Sequence, residues 1–198
     1  MSGGVSGRAA DPPVKSFATP RAFETWLSRS HGKAEGIWLV IAKKGSGIRS
    51  VTYAEAVEIA LCYGWIDGQG KRLDDERYVQ KFTPRRERSP WSQINRARAL
   101  ALVDEGRMQE PGLREIERAK ADGRWDAAYA SPRAATVPED LATALRRNKK
   151  ANAAFDALDS RNRFAILYRV NDAKKPETRA RRIAQFVDML SEGRKPYP

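Results

Sequence analysis

Residues 81–92 read KFTPRRERSPWS, which sets Lys81, Arg85, Arg86 and Arg88 around Phe82 and Trp91. Guanidinium groups pair with phosphate and carboxylate, often through two parallel hydrogen bonds. Aromatic rings beside them offer faces on which bases stack. Trp65 and Tyr78, just upstream, extend the set of rings. A second basic stretch, AKKPETRARRIAQF, loads Lys174, Lys175, Arg179, Arg181 and Arg182 onto the start of a helix. Positive charge there opposes the helix macrodipole. Glu177 offsets part of it through its i, i+4 pairing with Arg181. The remainder invites either a bound anion or an acidic neighbour from the same chain, such as the Asp74–Glu76 turn. Each stretch also has a plainer reading. Phe82 and Trp91 can be core, with arginine stems lying along their edges and their charges in water.

Carboxylates supply the other chemistry. Asp67 sits between Ile66 and Gly68 at a strand start, and Glu177 opens the last helix. A half-buried aspartate next to a cation can act as a general base. The plainer role for Asp67 is to accept backbone hydrogen bonds at a helix-to-strand corner. Asp74, Asp75 and Glu76 lack the calcium-loop pattern and read as a solvated turn. GQGKRL lacks the third glycine of a dinucleotide loop, no P-loop occurs, and KGSG is not a nucleophile elbow. One cysteine, Cys62, and one histidine, His31, exclude a Cys₄ or Cys₂His₂ zinc site and a disulfide within the chain. His31 lies in the polar loop SRSHGK and reads as exposed and inert; Cys62 falls in an apolar helical run and reads as a core thiol. No metal and no cofactor are expected.

Lys and Arg number 37 and Asp and Glu 25, which leaves +12. Such a balance favours anionic partners: nucleic acid or another polyanion, or an acidic protein face. The first residues show no apolar signal core, and the longest apolar run, IWLVIA, is too short to span a bilayer. These features lead to the expectation of a soluble cytoplasmic protein with no membrane span.

The elements that would position these groups follow from periodicity. Residues 1–15 read as a flexible N-terminus and 16–123 as an α+β core carrying the basic aromatic hairpin. Residues 124–137 read as a linker, and 138–198 as a helical C-terminal subdomain. Thr19-Pro20 opens a helix whose Phe23, Trp26 and Leu27 share a face. GIWLVIAKK is apolar on both faces and belongs inside a sheet. Thr52 and Glu55 form a capping box, and Gly64 ends that helix. Trp65–Leu73 and Tyr78–Thr83 form a hairpin, with Gly68 and Gly70 marking a bulge. Ser89-Pro90 reads as the cap of the next helix, followed by one from Pro111 to Asp122. Pro138–Asn148 with a short continuation, Ser160–Ala173 and Pro176–Glu192 complete the chain. The fold expected is α+β: a small antiparallel sheet of about three strands packed on helices, then a helical part.

Two stretches resemble the YdeI/OmpD-associated family, whose members are labelled bacteriocin-protection proteins. One carries YGWIDG, FTPR and the S-x-WS-x-x-N spacing between Tyr63 and Asn95. The other carries AKKPETRARRI between Ala173 and Ile183. The resemblance brings no reaction, cofactor or catalytic residue. It implies that Trp65, Asp67, Gly68, Lys81, Phe82, Pro84, Arg85, Ser89, Trp91, Ser92 and Asn95 form one motif. Lys174, Pro176, Glu177, Thr178, Arg179 and Arg182 form the other. The leading expectation is a non-catalytic protein of bacteriocin or stress tolerance that binds an anionic partner, nucleic acid first. Lys81, Arg85, Arg86, Arg88, Lys174, Arg179 and Arg182 would supply charge, and Trp65, Tyr78 and Trp91 stacking. The rival is a small-ligand receptor or enzyme using Asp67 and Glu177 with arginine anchors. A protein–protein scaffold is the third class.

Overall fold

A computed structural model describes residues 11–198. Its fold is α+β with a helical C-terminal part. The chain folds as two units, one of residues up to Trp91 with Asn95–Ala128, the other of Ser92–Ile94 with Tyr129–Pro198. Among the described residues, no helix is long and apolar enough to cross a membrane.

In the first unit, strand β1 (Val14–Ser16) leads to helix α1 (Pro20–Ser30), whose Thr19 cap accepts the Ala22 N–H. Strand β2 (Ile37–Ala42) is buried along nearly its whole length, as its unbroken apolar run requires. Helix α2 (Tyr53–Cys62) starts at the Thr52–Glu55 capping box, with both reciprocal hydrogen bonds formed. Strands β3 (Trp65–Arg72) and β4 (Arg77–Pro84) make the hairpin, and the register shifts between Asp67 and Gly70, where the glycines signalled a bulge. Helices α3 (Gln93–Asp104) and α4 (Glu110–Ala121) follow.

The sheet order is β1-β2-β4-β3. Ile37, Leu39 and Ile41 of β2 and Phe82 of β4 turn one face to Phe23, Leu27, Val57 and Ala60 of α1 and α2. Phe82 is fully buried, a contribution of about 1.5–3 kcal/mol from its ring alone. Trp38, Val40 and Val79 form a separate cluster on the opposite face, with the Lys71 ammonium 4.0 Å from the Trp38 ring centroid. Gly64 joins α2 to β3 at φ +72°, and a Cβ there would lie 2.9 Å from the Pro111 carbonyl oxygen. The stop is therefore fixed by conformation and by close approach of α4.

The structure differs from expectation at three places. The sheet has a fourth strand: β1 pairs in parallel with β2, Val14 opposite Trp38. Residues 1–10 of the expected flexible segment lie outside the described residues, while Val14 and Lys15 are in this strand. Three residues are too few to show a period; the open backbone edge of β2 recruits them. Ser89-Pro90 does not cap a helix, since α3 begins at Gln93. The Ser89 hydroxyl instead accepts the Arg86 N–H at 3.0 Å, closing a turn backwards. In the second unit, the helix expected from Pro138 to Asn148 and its short continuation are two separate helices. These are α5 (Glu139–Arg147) and α6 (Lys149–Asp156), broken where Asn148 takes an extended ψ and caps Ala151.

Helices α7 (Ser160–Asn171) and α8 (Pro176–Ser191) close the second unit around Leu141, Leu145, Phe155, Ile166, Phe186 and Leu190. The last carbonyls of a helix have no partner inside it. Those of α7 are met by the start of α8. Arg179 donates to the Val170 carbonyl at 2.8 Å, and Arg182 donates to that of Arg169. Arg179 also grips Asp140 of α5 through two bonds of 2.5 and 2.9 Å. That hydrogen bonding holds the Asp140 carboxyl below the usual carboxylate range, against a smaller opposing effect of burial.

Two expectations follow. Gly64→Ala should lose about 1–3 kcal/mol in urea unfolding, because alanine is strained at this φ and meets Pro111. Arg179→Gln should lose about 1–2 kcal/mol at neutral pH, the pair being partly solvated. Asp140 has a depressed folded pKa, so its contribution is complete above the ordinary aspartate value of about 3.9 and fades as pH falls through the folded value. The gap between native protein and Arg179→Gln should therefore narrow as unfolding is repeated from pH 7 towards pH 3.

Candidate functional site

Most groups chosen from the two basic stretches are engaged by the fold. Trp65 and Trp91 are 1% and 2% exposed, which corrects their assignment as stacking platforms. Trp65 packs edge-on to Trp26 and donates to the His31 carbonyl; Trp91 packs on Trp125. Arg85 is 6% exposed, so its assignment to an open anion surface is likewise corrected. Its guanidinium carbon lies 3.7 Å from the Trp91 ring centroid, and it donates to the Pro90 carbonyl. Tyr78 is half-buried against the core. Lys81 lies 3.8 Å from Asp11 and over Trp38. Arg179 and Arg182 hold helix ends, and Arg182 also pairs with Asp172 at 3.4 Å. Arg86, Arg88 and Lys174 are exposed, with no ion pair among the described residues.

Asp67 is in the first unit and Glu177 in the second, on the exposed first turn of α8. Asp67 accepts the Tyr53 hydroxyl proton at 2.7 Å, an interaction with neither a cation nor a backbone amide. Burial, reinforced by that bond, pushes the Tyr53 hydroxyl well above the usual tyrosine range.

Aromatic and cationic groups do converge elsewhere, on the outer face of α7. Asp159 caps this helix by accepting the Asn162 N–H at 2.8 Å. Asn162, 1% exposed, returns its side-chain N–H to Asp159 and uses its carbonyl to accept the Tyr197 N–H, also at 2.8 Å. This buried amide fixes the C-terminal residues against α7. The Tyr197 ring then lies 4.4 Å from the Arg161 guanidinium carbon and 5.7 Å from that of Arg169. Phe164 and Tyr168 stand between those arginines on the helix, and Tyr129 meets Tyr168 edge-on at 5.1 Å. The groove so formed has a volume of about 690 Å³. Burial, with Asp172 adding to it, raises the Tyr168 hydroxyl above its ordinary value, so it stays protonated at neutral pH. Neither Arg161 nor Arg169 has a carboxylate within 4.0 Å among the described residues. The arrangement can stack a flat ring and hold an anionic group beside it.

This groove was not selected from the sequence. Its signal was present in SRNRFAILYRVN: Arg161, Phe164, Tyr168 and Arg169 follow i, i+3, i+7, i+8, opposite the buried Asn162, Ile166 and Val170. Tyr197, 28 residues beyond Arg169, belongs to no local pattern.

Two family models match the chain. Residues 15–115, half of its length, match a domain of unknown function, DUF8412. Residues 134–193 match the family described as Bacteriocin-protection, YdeI or OmpD-Associated. The YGWIDG motif falls in the first match and AKKPETRARRI in the second, together with Arg161, Phe164, Tyr168 and Arg169. No curated protein and no solved structure matches. The chain therefore belongs to the DUF8412 family and carries a YdeI/OmpD-associated domain in its helical C-terminal part.

Proposed function

We propose that this protein is a cytoplasmic binding protein that takes nucleotide units of single-stranded nucleic acid in the α7 groove. The observation that carries the reading is the flanking of one tyrosine ring by two guanidinium groups with no carboxylate partner among the described residues, beside the Phe164 and Tyr168 rings. A nucleotide is a flat ring with a phosphate, and each half has a counterpart there. Stacking of a base on an aromatic side chain is worth about 1–3 kcal/mol. A pocket of this size suits a ligand of one or two nucleotides better than an extended track. The family matched by the helical part is described by bacteriocin protection, and tolerance of bacteriocins or other stress is the setting proposed for the binding.

A salt titration separates this reading from a broad polyanion surface. Two phosphate-contacting arginines give a slope of log affinity against log salt of about −1.4 for a single strand. The test is anisotropy of a short labelled oligonucleotide. Arg161→Ala with Arg169→Ala should flatten the slope towards zero. Tyr168→Ala should weaken binding about 5- to 150-fold at each salt concentration and leave the slope as it was. Absence of binding at low salt, or a slope indifferent to the double substitution, overturns the proposal.

A further inference from the structure

The second unit has another groove, of about 580 Å³, with α5 lining one wall and α8 the other. The Asp140–Arg179 pair joins the two walls at the first turn of each helix. Beyond that pair the lining is aliphatic, with Ala144 on α5 and Ile183, Ala184 and Val187 on α8. Ile183 and Val187 also belong to the core of the unit, so the floor of the groove is backed by packed side chains. Two more charges stand on the lining, one from each wall. Arg147 ends α5, and Asp188 lies in the last turn of α8. Both are exposed, and neither side chain has an ion pair or hydrogen bond among the described residues. The neighbouring Arg146 is by contrast taken by Glu139 at 2.6 Å. Asp188 is also badly placed for its own helix. A carboxylate at a helix C-terminus opposes the macrodipole, and the last turn of α8 holds no basic residue to offset it.

Charge sorts the possible occupants. The lining holds two cations and two anions, so a polyanion meets no excess of positive charge here. The α7 groove differs, having two arginines and no carboxylate on its lining. With a net charge of +12, two copies of the chain repel over most of their surfaces, and a neutral face is where they can approach. Asp140 and Arg179 satisfy each other, which leaves Arg147 wanting an anion and Asp188 a cation. A second copy of the same groove supplies both. In a two-fold contact, residue i of each copy meets residue j of the other. Arg147 of each copy then faces Asp188 of the other, and the aliphatic lining of both is removed from water.

We propose that the α5–α8 groove is the contact face of a homodimer with two-fold symmetry, held by reciprocal Arg147–Asp188 pairs around an aliphatic centre. The test is sedimentation equilibrium of the full chain. The weight-average mass should rise reversibly from that of one chain to that of two as concentration enters the micromolar range. Arg147→Asp and Asp188→Arg should each weaken dimerisation about tenfold or more, since each sets like charges together twice across the contact. Mixing the two variants should restore it, because a protomer with two carboxylates then meets one with two guanidinium groups. Neither side chain bonds within its own chain, so both variants should keep the native circular dichroism spectrum. Arg161→Ala with Arg169→Ala should leave dimerisation unchanged, which separates this face from the α7 groove. A chain that stays monomeric overturns the proposal and leaves the groove to a partner of another kind. A dimer indifferent to both single reversals, or one that the mixture fails to restore, overturns it as well.

Discussion

The structure depends on arginine donors reaching backbone carbonyls that secondary structure leaves open. A buried or half-buried carbonyl without a donor costs about 1–3 kcal/mol. Strand ends, turns and helix C-termini produce several such oxygens in each unit. Arg85 reaches Pro90, Arg96 reaches Trp125 and Arg124 reaches Ser89 in the first unit. Arg179 and Arg182 reach Val170 and Arg169 in the second. Guanidinium suits the task because it has five donors, a flat face that stacks on rings and weaker hydration than ammonium. Arg85 shows both properties, stacked on Trp91 while it donates to the turn that leads there. A net charge of +12 is thus in part a consequence of how the loops and helix ends are closed.

That use of arginine explains which parts were legible in the sequence. Capping boxes, glycine stops and the apolar run of β2 act through neighbours a few residues away, and those elements stand where periodicity placed them. The bulge at Gly68–Gly70 was legible for the same reason. The strand Val14–Ser16 was not, because its stability lies in the edge of β2 and not in its own residues. Ser89-Pro90 misled because a serine hydroxyl can close a turn behind it as readily as it can cap a helix ahead. Counting charges failed at Arg85, Arg179 and Arg182 since a sequence does not show which carbonyls lack donors. The α7 groove was half visible: four residues have helical spacing, but the tyrosine that completes it is joined through the buried amide of Asn162.

The same reasoning assigns the two motifs their physical meaning. Around YGWIDG and FTPR, Gly64, Trp65, Phe82 and Arg85 set the path of the chain between α2, the hairpin and α4. Asp67 stands at the bulge and, among the described residues, its carboxylate accepts the Tyr53 hydroxyl proton.

In the second unit the division between structure and binding passes through one residue. The carbonyl of Arg169 is held by Arg182, while its guanidinium stands over Tyr197. Arg182, Arg179 and the Asp140 pair fix the last turn of α7; Asp159 and Asn162 fix the first. The backbone of the stripe from Arg161 to Arg169 is consequently held at both ends. Long arginine side chains lose rotamer entropy when a ligand orders them, and a rigid helix with a docked ring beneath them lowers that cost. Arg179 and Arg182 of AKKPETRARRI thus bear on the groove through the backbone: they hold the turn from which Arg169 reaches.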